Sequence, residues 1–156
     1  MAGVLATYRR ISRWPAGRWL FSRLVCLKAP YFASIAPRIE VLEPSRGVAT
    51  LRHRRKVTNH LGTVHAIAMC NLAEFIGGLT CDVSIPASMR WIPSGMQVQY
   101  LKKATGTLRA TATPAFPPRE AAEGYELPFE VAIENAQGQA VFAATIAMWV
   151  SPRARA

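Results

Sequence analysis

The chain has 156 residues, 51% of them hydrophobic and 18% charged, with a formal net charge of +10. That length suits one domain with a sizeable core, and the composition argues against a disordered chain. All of the excess charge lies in residues 1–60, which hold twelve Lys/Arg against two acids, whereas residues 61–156 hold seven of each. Such a block suits nucleic acid, an anionic membrane surface or a phosphate-rich ligand, and equally an ordinary solvated face. Cys26, Cys70 and Cys81 form neither a disulfide framework nor a zinc pattern, so a reducing, cytoplasmic setting is expected. Met1–Leu27 is Arg-rich and acid-free like a mitochondrial presequence, but lacks a secretory core and a small-residue cleavage site.

Residues 4–14 and 18–28 each place Trp, Leu, Phe and Ile among Arg at helical spacing, separated by Pro15-Ala-Gly17 and stopped by Pro30. Two short amphipathic helices follow, either packed on a sheet or laid on a membrane surface. Arg38–Leu42 reads as a strand, Pro44-Ser-Arg-Gly47 as a turn and Val48–Val57 as a second strand. The run Arg52-His-Arg-Arg-Lys56 belongs at a sheet edge or rim because it cannot be buried. A polar turn, Asn59 to Gly62, then leads into Thr63–Cys81, which is apolar on almost every side and reads as a buried helix. With a Glu and a His inside it, no uninterrupted apolar run reaches spanning length, and no integral membrane segment is expected.

Pro86–Pro93 reads as a loop. Met96, Val98 and Tyr100 then alternate with glutamines as a half-buried strand, and Thr107–Thr113 alternates again. Pro114–Tyr125 is an exposed connection, and Leu127–Ile133 is the next strand. After the turn Asn135–Gly138, Ala140–Val150 is apolar on both faces and is therefore a central strand. Two strands, a long helix and four strands make an α+β chain, with a curved antiparallel sheet embracing one helix. We expect a single domain over 1–156, with a helical segment 1–36, a core 37–150 and a frayed tail 151–156.

Chemistry concentrates at the long helix. A carboxylate buried in it, Glu74, needs a partner or a purpose, and Arg90 is a structural partner to consider. Asn59-x-x-Gly62 is also the pattern of a capping turn, and His65 also that of a bracing histidine. Asn71 lies one turn before Glu74 and is placed to orient its carboxylate or a water. His60, His65 and Glu74 lack metal-ligand spacing, and Ser84 and Ser94 lack a glycine-flanked nucleophile context. Cys70, in an apolar setting, reads as inert.

The order of elements, with Asn59-x-x-Gly62-x-x-His65 entering the helix and an acid nine residues after the histidine, resembles the hotdog-fold acyl-CoA thioesterases. The likeness is to the phenylacetate-degradation type and to related bacterial hotdog proteins of poorly defined substrate. Trp91-Ile-Pro-Ser-Gly-Met96, Tyr100-Leu-Lys-Lys-Ala104, Gly17-Arg-Trp-Leu-Phe-Ser-Arg-Leu24 and Ala29-Pro-Tyr-Phe32 also look like the bacterial members, which argues against a cleaved presequence. The resemblance implies a hotdog fold of five to six strands and a homodimer or dimer of dimers, with each site shared between subunits. It further implies that Glu74 is general base or nucleophile and that Asn59 orients water or thioester. The turn through Gly62 and His65 would place the Ala66 N–H to polarise the carbonyl, and Lys102 and Lys103, with Arg54–Lys56, would meet coenzyme A phosphates. Asn71 would line the substrate site. No metal or separate cofactor is implied, coenzyme A being part of the substrate.

Unsatisfied N–H groups in a helix's first turn suit an oxyanion, and burial should raise a glutamate's pKa toward useful base strength. Two departures from the family pattern stand out: Glu74 replaces a common Asp, and Ala66-Ile67 replaces Gly-Gly. A non-catalytic acyl-CoA or lipid-binding protein on the same fold is the alternative. Nucleic-acid or membrane-surface binding through residues 8–56 is a third reading, nucleic acid being the least expected.

Overall fold

A computed structural model describes residues 3–153. The elements run α1 (Val4–Ile11), α2 (Gly17–Lys28), a 3-10 turn (Pro30–Ser34), β1 (Arg38–Glu43), β2 (Arg46–Leu51), a second 3-10 turn (Arg55–Val57) and α3 (Ala66–Ser84), followed by β3 (Met89–Tyr100), β4 (Leu108–Pro114), β5 (Tyr125–Glu134) and β6 (Ala140–Pro152). All six strands join one antiparallel sheet in the order β1-β2-β4-β5-β6-β3. It curves around α3, the α+β hotdog architecture that the resemblance implied.

Period-two patterning sets the inner face of the sheet. Leu108, Ala110 and Ala112 of β4 and Leu127, Phe129, Val131 and Ile133 of β5 are buried, meeting Leu72, Ala73, Phe75 and Ile76 of α3. Helix α3 is long and apolar enough to cross a membrane, with mean hydropathy 1.3, yet 61% of that stretch is buried under the sheet. The close fit depends on small residues. A Cβ added at Gly47 of β2 would collide with the Thr80 hydroxyl and lie 2.9 Å from Ile76 Cδ1, and one at Gly77 of α3 would lie 2.9 Å from Ile146 Cδ1.

The two sheet edges are treated differently. Helix α2 covers β1: the Ile39 N–H donates to Ser22 Oγ at 2.9 Å, and Arg18 Nη1 donates to the Glu40 carbonyl at 2.9 Å. Edge groups that would otherwise template another chain are thereby satisfied. At the other edge, β3 pairs only with β6, and among the described residues nothing comparable covers its outer side.

Several boundaries differ from the sequence reading. β2 ends at Leu51, because the basic run after it leaves the sheet rather than extending a strand. The segment expected to be a loop before Met96 belongs to β3, which starts at Met89; Pro93 is tolerated there because it sits on an edge strand beside a bulge between Pro93 and Gly95. Of the expected frayed tail, Ser151 and Pro152 extend β6 against β3, and residues 154–156 lie outside the described residues. We expect Gly47→Ala to lower unfolding free energy by about 1–3 kcal/mol through overpacking on α3, read from the denaturant midpoint. An unchanged midpoint would refute the close-approach account.

Candidate active site

The turn before α3 is built around Asn59. Its Oδ1 accepts from the Leu61 N–H at 3.0 Å and the Thr63 N–H at 3.1 Å, while Nδ2 donates to Thr63 Oγ1 at 2.9 Å. Gly62 takes a left-handed φ of 74°, which a side chain would strain even though the space around it is open. Thr58 and Val64 close the turn as a β-bridge, and the Val64 N–H donates to the Ala104 carbonyl at 2.8 Å. Both polar atoms of the Asn59 amide thus hold the turn, with one Nδ2 N–H left without a partner among the described residues. The structure shows this residue shaping the turn, a role distinct from the orienting of water or thioester that the resemblance implied.

His65 is the N-cap of α3: its Nδ1 accepts from the Ile67 N–H at 3.1 Å, and its own N–H donates to the Val57 carbonyl at 2.8 Å. A ring nitrogen that accepts must be unprotonated, so this cap requires the tautomer with the proton on Nε2. With Ile67 satisfied, the Ala66 N–H is left as a first-turn donor without a partner among the described residues. The bracing role weighed for His65 and the donor role weighed for Ala66 are thus compatible in one geometry.

Glu74 corrects an expectation. Within one chain it is exposed, not buried. It makes no ion pair with Arg90, which instead turns toward Ser151 Oγ at 3.4 Å. With exposed Ile67 and half-buried Cys70 it forms a stripe along α3 at helical spacing. Cys70 Sγ lies 3.3 Å from Oη of Tyr100 on β3, a contact that, with partial burial, raises the Tyr100 pKa. Burial raises the thiols of Cys26 and Cys81, the latter to about 12, which keeps both protonated and unreactive.

Asn71 does not orient Glu74. It is buried, its Nδ2 donates to Ser34 Oγ at 3.2 Å, and its Oδ1 has no partner among the described residues. It lines a cavity of about 170 Å³ together with His65, Ile67, Ser34 and Lys56. Glu74 lines a different and larger groove of about 590 Å³, walled by Phe21, Leu24 and Phe32 on one side and Phe75, Leu79 and Trp91 on the other. Trp91 packs over Gly78 and donates from Nε1 to Asp82 at 3.2 Å. Lys102 and Lys103 are exposed just before Ala104, whose carbonyl holds the turn, so they share a loop cluster with Lys56. Among the described residues no three His, Cys, Asp or Glu side chains gather as a metal-ligand set.

Sequence reasoning missed Ser34, Tyr100 and Trp91 as neighbours of the site. The alternation of Met96, Val98 and Tyr100 could have placed Tyr100 on the helix-facing side of its strand. Nothing local marks Ser34, which reaches Asn71 across 37 positions.

The profile of a family described as "Domain of unknown function (DUF4442)" matches residues 17–150. A crystallised structural-genomics protein is 42% identical, with a TM-score of 0.82, covering 96% of this chain and 98% of its own. A Pseudomonas aeruginosa protein of unknown function, described as a probable thioesterase, superimposes with a TM-score of 0.74 at 21% identity, covering 90% of this chain and 97% of its own. A thioesterase from Haemophilus influenzae superimposes at 0.68 with 15% identity, covering 78% of this chain and 82% of its own. No curated protein matches in sequence.

Removing the cap with His65→Ala should lower stability by about 1 kcal/mol, the usual loss for an N-cap. Thermal unfolding of the two proteins reads it directly, and equal midpoints would refute the cap.

Proposed function

The chain belongs to the DUF4442 family, and we propose that it is an acyl-thioester hydrolase acting on acyl-CoA as a homodimer. The observation that carries this reading is Glu74, a carboxylate without an ion pair among the described residues, on an otherwise apolar stripe of α3 at the wall of an apolar groove. Support comes also from the fold, which it shares with proteins named as thioesterases.

One chain alone does not make the site. Ala66 and Glu74 are eight positions apart on α3, an axial separation of about 12 Å at 1.5 Å per residue. A carbonyl held by the Ala66 N–H would be out of reach of a water held by the same chain's Glu74, since both contacts need about 3 Å. A second copy paired along the open edge of β3 supplies the missing half, setting one chain's turn against the other's Glu74. That pairing would cover Ile92, Met96 and Tyr100, which are 62%, 38% and 51% exposed in the single chain. Enclosure also removes water from around Glu74, the condition under which a carboxylate becomes an effective base.

In the reaction, the Ala66 N–H, at the positive end of α3, stabilises the oxyanion, a contribution of about 3 kcal/mol for one donor. As a general base, Glu74 takes a proton from the attacking water, the C–S bond breaks and the departing coenzyme A sulfur recovers that proton. As a nucleophile, its carboxylate displaces the thiolate to form an anhydride, which water then cleaves to free acid and Glu74. Asn59, Gly62 and His65 hold the turn that aims the Ala66 N–H, and Asn71 offers its Oδ1 to the pantetheine side of the substrate. Lys102 and Lys103, with Lys56, attract the phosphates, exposed lysines acting as point charges.

Ala66-Ile67 favours a second reading, an acyl-CoA binder without hydrolysis. The second N–H of the helix is occupied by His65, and the Ile67 side chain, 54% exposed, crowds the first turn beside the Ala66 N–H.

An acyl-CoA panel from short to long chains, with thiol release as the readout, separates the two. We expect turnover by the wild type and a loss of at least about 10²-fold in kcat/KM for Glu74→Ala, the usual contribution of a general base. Thermal stabilisation by acyl-CoA without thiol release from any member would replace hydrolysis by binding. Light scattering should report twice the chain mass, and Ile92→Asp with Met96→Asp should shift it toward the single chain. A wild-type monomer would overturn the shared site.

A further inference from the structure

Helix α2 turns Gly17, Phe21, Ser22 and Cys26 inward. At 3.6 residues per turn its remaining side, roughly half the circumference, carries Trp19, Leu20, Leu24 and Leu27, exposed by 49%, 44%, 42% and 78%. Trp14, 74% exposed, stands in the turn before it and Tyr31, 70% exposed, in the turn after it. A surface helix ordinarily places polar residues on that side, and a contiguous exposed apolar patch marks a surface that something covers.

Charge decides what covers it. Arg23 sits among the apolar side chains with its guanidinium 5.7 Å from the Trp19 ring, and Arg9, Arg10, Arg13 and Lys28 are on or beside the same two helices. Residues 3–39 contain no acid, and the first one, Glu40, is already paired with Arg18 and Arg38. A second copy of this face would oppose like charges across the contact. Nucleic acid would satisfy the arginines but leave the four apolar side chains uncovered. An interface of anionic headgroups and acyl chains takes both, with Trp and Arg at the depth where they are most stable. The groove is continuous with this face: Leu24 and Lys28 also line it, and the acids Glu74 and Asp82 lie across it on α3.

We propose that the outer face of α2 docks the protein peripherally on an anionic lipid surface, with the mouth of the groove beside the bilayer. The docking does not depend on whether the chain hydrolyses thioesters, so its test uses binding alone.

The full chain is sedimented with vesicles of phosphatidylcholine alone and with a phosphatidylglycerol fraction, at low and high salt. Binding is expected only with the anionic lipid and is expected to weaken with salt. Leu20→Asp with Leu27→Asp, both on exposed positions, should reduce partitioning by at least about tenfold, and Arg23→Glu by about fivefold or more, one basic residue at such a surface counting for about that factor. Thermal unfolding of each variant confirms that the fold is intact. No binding to anionic vesicles overturns the proposal, as does equal binding to neutral ones. Oligomers that Leu27→Asp disperses, without vesicle binding, would assign the face to self-association. Retention on DNA without vesicle binding would assign it to nucleic acid.

Discussion

The closeness of one helix to one sheet governs this molecule. Six strands can wrap α3 only if backbone comes near backbone, and that approach is bought at positions without side chains. Gly47 meets Thr80 and Ile76, Gly77 meets Ile146, and Gly78 lies under Trp91. Close packing leaves little freedom for the helix to rotate or slide. The orientation of α3 in turn determines which of its residues stay outside the wrap: Ile67 and Glu74 are exposed and Cys70 is half-buried beside β3, because Leu72, Ala73 and Ile76 face the core. Core packing thus sets which side of α3 is open, while the contacts of Asn59 and His65 shape the turn that precedes it.

The treatment of the sheet edges follows from the same wrap. A curved sheet that does not close has two edges, and each exposes unpaired backbone groups. The N-terminal helices satisfy β1 through Ser22 and Arg18, using side chains in place of a neighbouring strand. The β3 edge is left long and carries apolar side chains. An edge of that kind is a template for another strand, and the partly exposed stripe of α3 runs beside it, linked through Cys70 and Tyr100.

Much of the fold was legible because its periodicities are strong. The all-apolar helix, the alternation in β4 and β5 and the doubly apolar β6 each point to one arrangement. Boundaries were less so where composition and position compete. Pro93 reads as a loop residue, yet an edge strand with a bulge tolerates it; the basic run after Leu51 reads as strand, yet its charges leave the sheet. At the site, the spacing of Asn59, Gly62 and His65 correctly indicated a turn and a cap. Burial of Glu74 was misjudged because an apolar sequence around a helix does not say which stripe its sheet leaves open. Ser34, partner of Asn71, could not have been found from local pattern at all.

Helix α2 shows how a single element can serve the edge, the groove and the surface together. Its inward residues Phe21 and Ser22 fix it to the core and to β1; Leu24 and Lys28 turn it into a groove wall; Trp19 and Leu27 remain outside. A helix needed only to cover β1 would be most stable with polar residues on that last side, since exposed Trp and Leu add nothing to the fold and invite association. The same helix carries Arg23 within the apolar set and, with α1, no acid to pair it. Fold stability accounts for two sides of α2, and the third is accounted for by a charged, partly apolar surface outside the molecule.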